Sequence, residues 1–257
     1  MDLLKYNREA WDREVSKKNQ WTKPVTPEVI ASAKKGIWNV VLTPLKPVPK
    51  NWFPPLKGLK ILGLASAGGQ QGPIFAAAGA DVTIIDNSPA QLAQDRLVAE
   101  RDHLDIKLIQ GDMRDLSCFK NELFDLIFHP LSNCFVPDVR PVWNEAYRVL
   151  KRGGSLLAGV CNPIPFAMDP ELEAQGILQV KYKIPYSDLT SLTDEERKRY
   201  TDKGEPLAFG HTLEDQIGGQ ISAGFMISGF YEDSWTDVNG PIHKYMNCYI
   251  ATRALKS

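Results

Sequence analysis

"LGLASAGGQQGP", Leu62 to Pro73, is the stretch on which the reading of this chain turns. An apolar strand runs into a loop of small residues, and a proline follows where a helix begins. That is the outline of a nucleotide-binding turn. Ala65 and Ala67 stand where glycines are usual, Gly68 and Gly69 follow, and Gln70 and Gln71 crowd the end.

Outward from this loop the chain alternates. "LKILGL" is a short apolar strand, and "PIFAAAGA" is a helix opened by Pro73, whose missing N–H is harmless there. "DVTIID" is a second strand. "SPAQLAQDRLVAERDHL" is a second helix with Ser88 and Gln91 in a capping-box pattern. "IKLIQG", "FDLIFH" and "SLLAGV" are further strands. "VRPVWNEAYRVLK" has the helical period, and Gly153-Gly154 is expected to end it. Strands alternating with helices imply an α/β fold with a doubly wound, mostly parallel sheet.

Ligands of such sheets bind beyond the carboxyl ends of the strands, near the switch in strand order. Four strand ends should therefore converge: "ASAGGQQG", "DNS" with Asp86 and Asn87, "GDMRDL" with Asp112 and Met113, and "HPLSNCF" with His129. Asp86 at the end of the second strand suits the two ribose hydroxyls of an adenosine, since Ser88 already caps the next helix. Asp112 suits the adenine amino group, with Met113 against the ring.

The loop bears on the rest of the ligand. A dinucleotide presses its pyrophosphate against backbone and requires glycine. Read as G-x-G-x-x-G, the loop fits only from Ala67 to Gly72, with the first glycine lost. S-adenosylmethionine has no phosphate. It presents an adenosine, a sulfonium and a doubly charged amino-acid end, which small residues with two adjacent amides suit better.

With these pieces in order, Leu59 to Val160 resembles a class I S-adenosylmethionine-dependent methyltransferase. "ILGLASAGG" stands at the glycine motif, followed by "VTIIDNS", "QGDMRDL", "FDLIFHPLSN" and "EAYRVLKRGG". The GGQQ ending resembles a bacterial subgroup. The resemblance implies a seven-stranded sheet with an antiparallel final hairpin. It implies a cofactor site at Gly63, Ala65, Ser66, Ala67, Gly69, Gln70, Gln71, Asp86, Asn87, Asp112, Met113 and His129. Gly63 replaces the acidic residue that often contacts the cofactor's amino group, so Gln70 or Gln71 is expected to supply part of that contact. His129 and His211 are the candidate bases, although methyl transfer needs one only when the acceptor starts protonated.

Two other readings are open. Tyr147-x-x-x-Lys151, with Ser132 upstream, has the spacing of a nicotinamide-dependent reductase. A methyltransferase-like domain that binds the nucleoside without catalysis is the other.

The remainder divides around this core (58–162). Residues 1–57 hold Trp11, Trp21, Trp38, Trp52 and seven of the 18 prolines. Two short helices, Leu3–Lys17 and Thr26–Lys35, and an extended linker are expected there. Residues 163–210 read as an insertion with short strands and one charged helix. Residues 211–257 resume the core: Thr212 caps a helix whose buried stripe is Leu213, Ile217 and Ile221, then "MISGFYEDSW" and "YMNCYIATRAL" are strands. Residues 1–57 and 163–210 are expected to cover the cleft and choose the acceptor, a small molecule. Net charge is −1, which leaves nucleic acid an improbable partner. No apolar run is long enough for a membrane span, and no secretion signal is evident. The four scattered cysteines and four histidines show no metal spacing and suit a reduced, cytoplasmic protein.

Overall fold

The alternation beyond residue 58 becomes a seven-stranded sheet in the computed structural model, which describes residues 1–236 and 240–257. The five parallel strands are β1 (Lys60–Leu64), β2 (Asp81–Asp86), β3 (Ile106–Gln110), β4 (Phe124–His129) and β5 (Leu150–Cys161). A two-stranded ribbon, β6 (Tyr186–Ser187) with β7 (Phe209–Gly210), stands apart. The antiparallel pair β8 (Phe225–Asp233) and β9 (Tyr249–Lys256) completes the sheet, in the order β3-β2-β1-β4-β5-β9-β8. The order reverses between β1 and β4, so the chain leaves those neighbouring strands in opposite directions and opens a crevice at their carboxyl ends.

The helices are α1 (Leu3–Ser16), α2 (Pro27–Lys34), α3 (Gln71–Ala77), α4 (Pro89–Asp102), α5 (Arg140–Val149), α6 (Pro170–Glu173), α7 (Asp194–Lys203) and α8 (Gly219–Ser222). Alternate strand residues feed two cores. Leu62, Leu64 and Ile127 pack with Trp143 and Val149 of α5. Ile61, Ile84 and Phe128 pack with Phe75 of α3 and with Val40, Leu42 and Trp52. Both faces of β1, β2 and β4 are covered, which is why these strands are continuously apolar. The Pro-rich stretch before β1 is therefore part of a core, where an extended linker was expected.

Three expectations need correcting. Helix α3 begins at Gln71, so Pro73 is its third residue. Helix α5 stops at Val149, and Leu150-Lys151-Arg152-Gly153-Gly154 already belongs to β5, where Leu150 pairs with Phe124 ahead of a register shift. The last helix opens as a π-turn, Glu214–Gly218, whose wider winding shifts the helical period. Leu213 and Ile221 consequently point outward, at 45% and 56% exposure, while Gln216 and Gln220 are buried. Thr212 Oγ1 does accept from the Asp215 amide at 3.0 Å.

Candidate functional site

A cavity of about 330 Å³ lies at the strand ends of the crevice, walled by the loop after β1 and by α1. The loop is shaped by close approaches. Ala65 has φ +47 and donates its amide to Ile85 O at 2.8 Å, so even this alanine sits in the left-handed region. A methyl group added at Gly63 meets Ser66 Oγ at 2.4 Å. Ser66 therefore fills the space in which an acidic side chain at 63 would stand. Further along, the Gly68 amide donates to Asp95 Oδ2 of α4 at 2.8 Å. Gly68 and Gly69 have φ +117 and +73, conformations that favour glycine.

Asp86 links this loop to the next strand end. Its Oδ2 accepts from the Ala67 amide at 3.2 Å and its Oδ1 from the Ser88 amide at 3.0 Å. Burial pushes its carboxyl up to about 6, backbone hydrogen bonds oppose the shift, and Asp12 adds to it. Asp95 is pushed up to about 7, also chiefly by burial. Asp112 is held by Arg114, with Nη2 at 2.6 Å, and Met113 lies beside it on the cavity wall.

Whether these residues fit an adenosyl amino acid is answered by unsatisfied atoms. Ser66 Oγ and Gln91 Oε1 are buried without a hydrogen-bond partner, and both residues line the cavity. Buried polar groups are rarely left unpaired. Two such acceptors beside the loop fit the ammonium of an amino-acid ligand, and Asp86 fits a ribose. The residues present suit S-adenosylmethionine.

The cavity gathers Ala65, Ser66, Ala67, Gln70, Gln71, Asp86, Asn87, Asp112 and Met113. Several of them also grip the N-terminal segment. Asn87 donates to Leu4 O at 2.9 Å and accepts from Arg8 Nε at 3.1 Å. Gln70 Nε2 donates to Gln20 O and Lys23 O, and Gln71 Oε1 accepts from the Val41 amide. Gly63 and Gly69 shape the loop from behind the wall.

Neither candidate histidine is on the cavity wall. His129 is fully buried, with Nδ1 2.7 Å from Leu64 O and Nε2 2.5 Å from Asn133 Oδ1. Asn133 Nδ2 donates to Gln216 Oε1, Gln220 Nε2 to Gln216 O, and Thr252 Oγ1 to Gln220 Oε1. His211 donates to Asn133 O at 3.1 Å. Burial lowers both imidazoles below their ordinary range. They belong to a buried polar chain that ties β4 to the last helix and β9. The reductase trio does not assemble either: Tyr147 packs edge-on against Phe225, Lys151 pairs with Asp125 at 2.6 Å, and only Ser132 reaches the cavity.

Other residues at the loop are absent from the sequence-based expectations for the site. Gln91, on the cavity wall, and Asp95, buried behind the loop, are four apart on α4, a polar pair on one helical face that is a usable signal. Gln91 was assigned to a capping box, but its side chain turns to the loop while Ser88 Oγ alone caps and also reaches Asp12 at 2.6 Å. Trp235, Tyr249, Cys134 and Cys161 also line the cavity, brought together by strand order.

A crevice at the β1/β4 reversal, a carboxylate after β2 and the unpaired Ser66 and Gln91 oxygens at the loop fit an S-adenosylmethionine-dependent methyltransferase. Residues 62–158 match the family described as methyltransferase domain. The chain is 55% identical over 254 residues to the methyltransferase YbaJ of Bacillus subtilis (strain 168), covering 99% of this chain and 98% of that one. It is 32% identical over 90 residues to a sterol 24-C-methyltransferase of Kluyveromyces lactis, covering 34% of this chain and 24% of that one. Its fold is similar to that of an S-adenosylmethionine-dependent methyltransferase from Mesorhizobium loti, with TM-score 0.61, 19% identity, and coverage of 80% of this chain and 94% of that one. The chain belongs to the class I S-adenosylmethionine-dependent methyltransferases.

Proposed function

We propose that the chain methylates a small, uncharged, largely apolar acceptor that is enclosed beneath α1 and brings its own nucleophile. The observation that supports this is the apolar part of the cavity wall, where Trp11, Trp21, Trp235, Phe135, Leu3 and Leu4 stand with neutral Thr43, Ser132 and Tyr249. Among the described residues, the cavity's one cationic side chain is Arg114, which is paired with Asp112. A charged acceptor would lose hydration there without a counter-charge.

S-adenosylmethionine, when bound, supplies a methyl group already activated on a sulfonium. Asp86 holds the ribose, Ser66 and Gln91 accept from the amino-acid end, and Asp112 with Met113 frames the adenine. Among the described residues no histidine lines the cavity, and its two carboxylates, Asp86 and Asp112, are the ones assigned to the adenosine. The chain therefore works by orienting the acceptor in line and excluding water, which alone accelerates such transfers greatly. His129 and His211 position the strand-four loop. Asn7 closes the cover: its Nδ2 donates to Phe135 O and Leu207 O, and the Leu207 amide returns to its Oδ1 at 2.9 Å. Residues 1–57 thus supply the acceptor-selecting wall, 163–210 brace that cover from outside the cavity through Leu207, and four free thiols suit a cytoplasmic setting.

The test is to incubate the purified chain with methyl-labelled S-adenosylmethionine and a cell extract split into small-molecule and macromolecular fractions. Label in a neutral, organic-extractable small molecule is the expected result. Label confined to protein or RNA, or to a charged metabolite, overturns the reading.

A further inference from the structure

The four cysteines are far apart in sequence, yet two of them meet in the cavity. Cys134 follows the end of β4, and Cys161 ends the neighbouring β5. Both are free and partly open to the cavity. The parallel pairing that puts His129 beside Ala158 carries the two chain ends out side by side. Both thiols open on the same cavity, and the nearness of Cys161 together with burial holds Cys134 in its protonated form. Across the sheet Cys161 pairs with Tyr249, whose ring residue also lines the wall.

We propose that Cys134 and Cys161 form a dithiol site in the acceptor half of the cavity that binds trivalent arsenicals. Three features select this ligand class. Two thiols are available but, among the described residues, no group of three His, Cys, Asp or Glu is placed to hold a metal ion. A zinc-like cation therefore lacks its four donors. A trivalent arsenical needs two sulfurs and brings its own third substituent. Such species are uncharged near neutral pH, which matches walls whose one cation, Arg114, is already paired. Their third substituent has Trp235 and Leu131 to lie against.

The chemistry balances without an oxidant. A hydrated arsenical, R–As(OH)2, condenses with the two thiols. Two As–S bonds form, two As–O bonds break, each thiol proton leaves with a hydroxyl as water, and arsenic stays trivalent. The reaction consumes protonated thiols, so the suppressed ionisation of Cys134 does not oppose it. The site needs no cofactor, and only its description as the acceptor half rests on the proposed function.

The test uses the reduced full-length chain and phenylarsine oxide, followed by native mass spectrometry and by titration of remaining thiols. One equivalent should bind, two of the four thiols should disappear, and a small dithiol should release the ligand where an equal concentration of monothiol does not. Cys134→Ser and Cys161→Ser should each weaken binding on the order of 100-fold, the scale of a lost second attachment. Cys118→Ser and Cys248→Ser should bind as wild type. Arsenite should compete with phenylarsine oxide, and S-adenosylhomocysteine should not; its retained binding to each variant verifies the fold. Wild-type affinity in Cys134→Ser, or loss of binding in Cys248→Ser, overturns the site.

Discussion

The two halves of the cavity differ in how the sequence builds them. The cofactor half is made by consecutive residues at the ends of β1, β2 and β3, so each contributor sits inside a short motif. The acceptor half is assembled from α1, the segment after α2, the ends of β4 and β5, and the region before β9. Its residues come from opposite ends of the chain, as Leu3 and Asn7 with Trp235 and Tyr249 show. In the proposed reading the first half would hold a ligand common to a large class. The second is free to diverge, because loops and covers can change without disturbing the sheet.

Substitutions that separate the halves sharpen this contrast. The largest effect is expected for Asp86→Ala, which removes the ribose partner. Affinity for S-adenosylhomocysteine should fall at least tenfold, or ~1.4 kcal/mol, as read by equilibrium dialysis; unchanged affinity breaks the assignment of that half. Next comes Asn7→Ala on the other side. It leaves the buried Leu207 amide and two carbonyls without their partner, which should cost roughly 1–3 kcal/mol in urea unfolding. Methyl transfer should drop while cofactor affinity stays within a few-fold. An equal loss of both would show that the halves are one unit.

A smaller effect is expected for Gly63→Asp, which puts an acidic side chain where the family resemblance leads one to expect it. Its Cβ meets Ser66 Oγ at 2.4 Å, so the loop must shift at a cost of about 1–3 kcal/mol. Cofactor affinity should not improve; tighter binding would show that Ser66 is no substitute.

The last effect is a pH dependence. Asp95, at about 7, has a folded value above its ordinary one. The native state therefore holds the proton more tightly than the unfolded chain. The stability this supplies is complete below about pH 4 and is lost as pH rises through 7. Asp95→Asn keeps an acceptor for the Gly68 amide and removes the titration. The stability of wild type relative to this variant should decline between about pH 4 and 7 and level off above it. A constant difference across that window contradicts the placement of Asp95.

The sheet and the cofactor loop were legible because strand and helix periods and the order of the strand ends are local signals. Asp86 could be found from its place after an apolar strand. What failed was side-chain destination. His129 looked like a base because it ends β4, but it turns inward to Leu64 O and Asn133. Leu213 and Ile221 fitted a helical stripe that the π-turn displaces. Gln70 and Gln71 were matched to a ligand, yet they also carry bonds to the N-terminal segment that no local pattern encodes. Cys134 and Cys161 show no spacing at all, since their proximity arises from the pairing of β4 with β5.

The central claim is that the strand-end cavity is built for an adenosyl amino acid and not for a dinucleotide. Calorimetric titration of the wild-type chain with S-adenosylhomocysteine and, separately, with NAD tests it most directly. The account predicts one saturable site for S-adenosylhomocysteine and no measurable heat of binding for NAD. Saturable NAD binding that S-adenosylhomocysteine fails to displace would contradict it.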